Sequence, residues 1–202
     1  MNPRFSRGEY WILETAVTAG IPLSFLISKD IAEILNKPGY GFSHRKLWQV
    51  LESMSRRKLI KFDYENGRRV REVPDLKSKT LSNVFYRLTK LGGLQWEAFA
   101  APNWDQFIDF SFTFGKSGIE KYTIYGVSKH LLQRYIEGLR DTGVEVDPST
   151  IRWQKCVPFW ATYWKKLAAG YRLTFSAHRR QDAAHRLGLG NRIRIPRWYM
   201  WG

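Results

Sequence analysis

The sequence predicts an α+β protein built of two parts, and three observations carry that expectation. Residues 43–58 place apolar side chains at helical spacing. Phe110, Phe112 and Phe114 alternate with Ser111 and Thr113, the period of two of a half-buried strand. Asn66-Gly67 lies between runs rich in β-branched, aromatic and basic residues, as a hairpin turn does. At 202 residues the chain has room for one large or two small domains. Hydrophobic residues make up 44% and aromatics 15%, which suffices for a sizeable core and excludes global disorder.

The first helix is expected over Gly8–Thr18, with Trp11, Ile12, Thr15 and Ala16 on its apolar side and Gly20-Ile-Pro22 ending it. Ile21–Ile27 is apolar but much shorter than the roughly 20 residues that span a bilayer. Ser28–Leu35 reads as a short helix capped by Ser28, with Ile31, Ile34 and Leu35 on one face. The Pro and two Gly of Asn36–Gly41 make a turn. Ser43 then caps a longer helix, since its hydroxyl can accept from a first-turn amide. Leu47, Val50, Leu51 and Met54 form its apolar stripe. Arg45, Gln49, Glu52 and Arg56 fall on the opposite side. Leu59–Tyr64 is a strand, Asn66-Gly67 a two-residue turn, Arg68–Arg71 the return, and Val84–Thr89 a further strand. Gly93–Ala101 is expected to be helical, followed by a short helix from Asn103.

The order helix, turn, basic helix, hairpin resembles a winged helix-turn-helix domain of the bacterial regulator type, as in the PadR and MarR-like families. The pieces that match are Ser28–Leu35, Ser43–Arg57, Leu59–Tyr64 and Tyr86-Arg-Leu-Thr-Lys-Leu-Gly92. In those families a Tyr-Arg-Leu-Thr-x-x-Gly element closes the wing and starts the next helix. The resemblance covers about residues 7–100. It implies a DNA-reading helix at 43–58 and a wing at about 65–83, the latter longer than a two-stranded wing needs.

Charge agrees with that implication. Lys and Arg total 33 against 18 Asp and Glu, a formal net of +15 and a pI of about 10.1. Between Arg45 and Lys79 stand eleven cations and five acids, a local net of +6. Such a stripe attracts phosphate backbone through counterion release. Forked Arg and Gln side chains match the edges of guanine and adenine in the major groove. Arg45, Gln49 and Arg56 are therefore candidate base readers, and Lys46, Lys58, Arg68, Arg69, Arg71, Lys77 and Lys79 candidate backbone contacts. A solvated surface helix would show the same periodicity.

The second half reads as a small α+β domain of order β-α-β-(α)-β. Phe110–Phe114 and Lys121–Tyr125 are strands. Ser128–Arg140 is a helix with Leu131, Leu132, Tyr135, Ile136 and Leu139 facing inward. Thr150–Val157 and Tyr171–Ser176 are strands flanking a short helix at Phe159–Ala169. The domains are placed at 1–109, 110–177 and 178–202. The last is a tail with six Arg, one acid and the aromatic end Trp198-Tyr-Met-Trp201. Two readings of the tail stand side by side: a docked extension, or a functional arm that makes a second nucleic-acid contact or a dimer contact.

Catalytic signals are poor. Gly115-Lys-Ser117 lacks the upstream Gly of a phosphate-binding loop, because Phe110 stands there, and no Gly-x-Ser-x-Gly elbow is present. His178, Asp182 and His185 have a spacing that suits a metal, but in an Arg-rich segment a solvated or nucleic-acid-facing role is the simpler reading. No enzymatic activity, cofactor or metal is expected. Trp96, Phe99, Trp104 and Phe107 are expected to serve the core or a subunit contact. Cys156 is the lone cysteine, expected to be a small buried core residue, and the first residues lack an apolar signal, which together suggest a reducing cytoplasm. The expected function is duplex-DNA binding by a prokaryotic or phage regulator, with homodimerisation or signal sensing through the C-terminal half. The alternative is an immunity-type or adaptor protein that turns a winged-helix scaffold toward a protein partner.

Overall fold

The computed structural model describes residues 5–27, 43–77, 81–114 and 119–179. The expected helix Ser28–Leu35, its following turn, Gly115–Ser117, Asp182, His185 and nearly all of the Arg-rich tail lie outside them. The described chain is α+β, with antiparallel sheets throughout. It divides into two compact units: residues 1–101 with 162–165, and residues 102–161 with 166–202. No helix of the described residues is long and apolar enough to cross a membrane.

In the first unit, α1 spans Arg7–Thr15. Ser6 and Glu9 close a reciprocal capping box, in which the Ser6 hydroxyl accepts from Glu9 N at 3.3 Å and the Glu9 carboxylate from Ser6 N at 2.9 Å. The helix stops three residues short of the expected Thr18. The Thr15 hydroxyl bonds back to the Trp11 and Ile12 carbonyls, and Ala16 and Val17 turn into the core. Ile21–Ile27 holds two elements that periodicity did not resolve: β1 (Ile21–Pro22) and α2 (Leu23–Ile27). Pro22 is tolerated because β1 is an edge strand that needs no amide from it.

Helix α3 (His44–Arg56) begins at Ser43, whose hydroxyl accepts from Lys46 N at 3.2 Å. Leu47, Leu51 and Met54 are buried as expected, while Val50 is only half-buried. The helix stops in a left-handed residue, Lys58. There Leu59 N donates to Met54 O and Lys58 N to Ser55 O, both at 2.9 Å, and Leu59 and Met54 are both buried.

Strand β2 (Ile60–Tyr64) follows directly, then β3 (Arg69–Val70) and β4 (Val84–Leu88), in sheet order β1-β4-β2-β3. The β2–β3 turn differs from the expected two-residue form. Only Gly67 has positive φ, at 81°, and Gly67 N donates to Tyr64 O at 2.8 Å while Tyr64 N donates to Arg68 O at 2.8 Å. This is a three-residue loop, Glu65–Gly67, ending in a left-handed glycine. Asn66 contributes its side-chain oxygen to Arg68 N at 3.0 Å rather than a second positive φ.

Helix α4 (Lys90–Ala100) starts three residues before the expected Gly93, because Thr89 caps it by accepting from Gly92 N at 3.0 Å. The Thr89 hydroxyl also donates to Lys58 O. A Cβ on Gly92 would stand 1.9 Å from Leu59 O, so the first turn of α4 closes on the α3–β2 junction at a distance only glycine permits. Trp96 is fully buried, whereas Phe99 is half-exposed and meets Tyr10 and Phe5 ring to ring. The four residues 162–165 complete this unit. The Tyr163 hydroxyl donates to Ala16 O at 2.7 Å and accepts from Leu88 N at 2.6 Å. Trp164 Nε1 donates to Val17 O at 2.9 Å, and Lys165 pairs with Glu97 at 2.5 Å.

The second unit opens with a 3-10 turn, Trp104–Gln106, where a short helix was expected. Asn103 caps it by accepting from Asp105 N at 3.1 Å. Strands β5 (Ile108–Phe114), β6 (Ile119–Gly126) and β11 (Gly170–Arg179) pair in that order. The far edge of β11 is shared by β7 (Val144–Val146) and β8 (Arg152–Cys156). In register, Phe112, Tyr122 and Phe175 form one row, the first two ring centroids 5.6 Å apart and the last two 5.0 Å. Helix α5 (Lys129–Asp141), capped by Ser128, packs on that face through Leu132 and Ile136, with Tyr135 and Leu139 half-buried beside them.

Phe159–Ala169 is not a helix. It contains the hairpin of β9 (Phe159–Trp160) and β10 (Lys166–Leu167). The Thr162 hydroxyl accepts from Trp164 N and Lys165 N, offering the backbone a turn in place of helical bonds. Phe159 packs inward on Phe107 at 5.9 Å, while Trp160 stays exposed with Lys166 Nζ 5.7 Å from its ring, a period of two hidden in an aromatic run. Cys156 is half-buried at the edge of this cluster rather than fully buried.

Candidate nucleic-acid interface

The outer face of α3 follows from its inner one. Because Leu47, Leu51 and Met54 point into the core, 3.6 residues per turn send Arg45, Gln49, Glu52 and Arg56 outward. Arg45, Lys46, Gln49, Arg56 and Lys58 are all exposed. They are not equally available. Arg56 is held by Glu52 at 2.6 Å, one turn back on the same helix. Among the described residues, Arg45, Lys46 and Lys58 make no ion pair with their side chains. The neighbouring Arg57 is committed inward: it pairs with Glu9 at the start of α1, and its guanidinium carbon lies 5.7 Å from the Phe5 ring centroid.

Sequence reasoning passed over Trp48. It stands one turn after Arg45 on the same face and is 37% exposed. The signal was the spacing of three that it keeps from Arg45.

The hairpin adds a second cationic surface. Arg68, Arg69 and Arg71 are exposed, and Lys77 is exposed further along the loop. Lys79 lies outside the described residues. Tyr64, Arg68, Arg69, Val70 and Arg71 line a concavity of about 860 Å³. None of the three arginines makes an ion pair among the described residues. Sequence reasoning also passed over Tyr64, whose position beside the turn was the available signal; it is 39% exposed.

Cations elsewhere on the sheet are turned to structural use. The carboxylate of Asp63, a buried residue, lies 3.1 Å from Lys61 Nζ and 3.6 Å from Arg87 Nε. Both cations are thereby held over β2 and β4 instead of being free to reach a ligand. Two phenols of the same unit, the buried Tyr86 and the half-buried Tyr163, are shielded from water. Tyr86, whose hydroxyl lies 2.5 Å from Thr15 Oγ1, and Tyr163 both have their pKa pushed up, chiefly by loss of hydration.

The arrangement offers a helix with an exposed Arg, Lys and Gln, then a hairpin with three arginines that make no ion pair among the described residues. Exposed guanidinium, ammonium and amide groups of this kind can donate to anions and to base edges. No group of His, Cys, Asp and Glu that would hold a metal occurs among the described residues. No protein-family model, curated protein or solved structure matches the chain.

Proposed function

We propose that the first unit is a winged helix and that the protein binds duplex DNA, acting as a prokaryotic or phage regulator. The observation that carries this reading is the outer face of α3, where Arg45, Lys46 and Gln49 are exposed and Arg45 and Lys46 make no ion pair among the described residues. The element order α1-β1-α2-α3-β2-β3-β4 and the strand order β1-β4-β2 support it. In this reading α3 enters the major groove, Arg45 and Gln49 meet base edges, and Lys46 and Lys58 meet phosphates. Arg68, Arg69, Arg71 and Lys77 extend the backbone contact. Arg56, tied to Glu52, contributes charge more than readout.

A duplex-binding titration over a salt series tests it. Affinity should fall steeply with salt, and Arg68→Ala with Arg69→Ala should lower the log–log slope by about 2. No duplex binding at low salt rejects the reading.

A second reading, binding of a protein partner through the C-terminal half, is favoured by one observation. Phe114 is 76%, Val157 66% and Trp160 58% exposed in the second unit. Val157 and Trp160 stand three residues apart, at the end of the sheet opposite Phe114, and exposed apolar groups set close together mark interaction sites. A concentration-dependent mass by light scattering would support self-association as the use of that surface.

A further inference from the structure

We propose that the concavity of the β2–β3 hairpin is a single-strand site. It takes one unpaired nucleotide, with phosphate on Arg68, Arg69 and Arg71 and base on the Tyr64 ring. This deepens the nucleic-acid reading above and rests on it for the class of ligand.

Tyr64 is fixed as a platform from both sides. Its N–H donates to Arg68 O, its carbonyl accepts from Gly67 N, and it is in register with Val84 of β4. Tyr64 is 39% exposed. An exposed, backbone-fixed aromatic ring is a surface on which a base stacks, and such stacking tolerates any base.

Arg68, Arg69 and Arg71, arginines rather than lysines, line the same concavity, and their planar forks grip phosphate by two parallel bonds. The acids nearest in sequence, Glu65 and Glu72, are exposed and make no ion pair with the three arginines. Half-buried Val70 completes the lining. Concavity and ring together select the ligand. A paired duplex buries its base faces in the stack and presents backbone and base edges alone, whereas an unpaired nucleotide offers phosphate and base face at once.

The test is fluorescence anisotropy of the full chain with a labelled oligothymidylate and, in parallel, a blunt mixed-sequence duplex. Tyr64→Leu should weaken single-strand binding about tenfold and leave duplex affinity within about twofold. Tyr64→Phe should retain both. Arg45→Ala should weaken the duplex and spare the single strand. An abasic oligonucleotide of equal length, used with the unaltered protein, should bind about tenfold more weakly than oligothymidylate; this arm does not depend on the folding of a variant. Equal binding of the abasic and intact strands overturns the proposal, as does a Tyr64→Leu protein that keeps full single-strand affinity. Displacement of the strand by polyglutamate at matched charge also overturns it, by showing an unselective anion surface. Single-strand binding without duplex binding rejects the duplex reading and leaves this one standing. Duplex binding with no effect of Tyr64 or of base removal does the reverse.

Discussion

Lys58 occupies a backbone conformation, φ 57°, that costs a residue with a Cβ about 1–2 kcal/mol. It does so because α3 must stop and reverse within one residue so that Leu59 can return onto Met54. Glycine is the usual occupant of such a position. Lys58→Gly should therefore leave stability unchanged or raise it by up to about 1 kcal/mol, since the gain in strain is partly offset by unfolded-chain entropy. The same change should weaken duplex binding by the loss of one cation. Urea unfolding and a binding titration on one preparation separate the two effects, and a loss of stability would contradict the account of the helix stop. The position was legible as a cation after a helix but not as a strained one, because the strain arises from the register of β2. Buried phenols give a second prediction at this scale. Loss of hydration raises the pKa of Tyr86, Tyr135 and Tyr163 above the ordinary value near 10, and outweighs the lowering by the Thr15 hydrogen bond at Tyr86 and by Leu88 N–H and Arg87 at Tyr163. The folded state then holds these protons while the unfolded chain releases them. Their contribution is intact below about pH 10 and is lost as pH rises above it. Urea midpoints should decline on the alkaline side, and less so in Tyr163→Phe.

Elements were legible where one face alone decides burial. Ser43 and the stripe Leu47, Leu51 and Met54 locate α3, and Ser128 with Leu132 and Ile136 locates α5, because cap and periodicity are both local. Elements fixed by a distant partner were not. Helix α4 begins at Lys90 because Thr89 and Gly92 answer to the α3–β2 junction, some thirty residues upstream in the chain. Phe159–Ala169 looks helical by composition, yet its turn is set by Thr162 and by the bonds of Tyr163 and Trp164 to Ala16 and Val17, 147 residues away. Those bonds predict a measurable cost. Tyr163→Phe removes the donor to Ala16 O and leaves the part-buried Leu88 N–H without its acceptor, which should destabilise the protein by about 1–3 kcal/mol. Equilibrium unfolding reads that number, and a change below about 0.5 kcal/mol, the level expected of a surface substitution, would show the contact to be incidental.

At the scale of the whole molecule, the basic composition pointed to a ligand class, and the described residues named for it are left exposed. Arg45, Gln49, Arg68, Arg69 and Arg71 were readable because they are what remains outside once an amphipathic helix and a hairpin have buried their other faces. Trp48 and Tyr64 were not, since exposure of an aromatic ring runs against its usual place in a core. The return of residues 162–165 to the first unit could not be read at all from local pattern.

Selection of bound fragments from a random duplex pool, run with the unaltered protein and with Arg45→Ala and Gln49→Ala, decides whether α3 reads duplex DNA. A reading role for α3 predicts a preferred sequence for the unaltered protein. It predicts that each substitution relaxes that preference at one or two positions, with a loss of about 1–3 kcal/mol for the preferred site, while affinity for unrelated duplex changes little. An unselected pool, or one whose preferred sequence is the same for all three proteins, would contradict it.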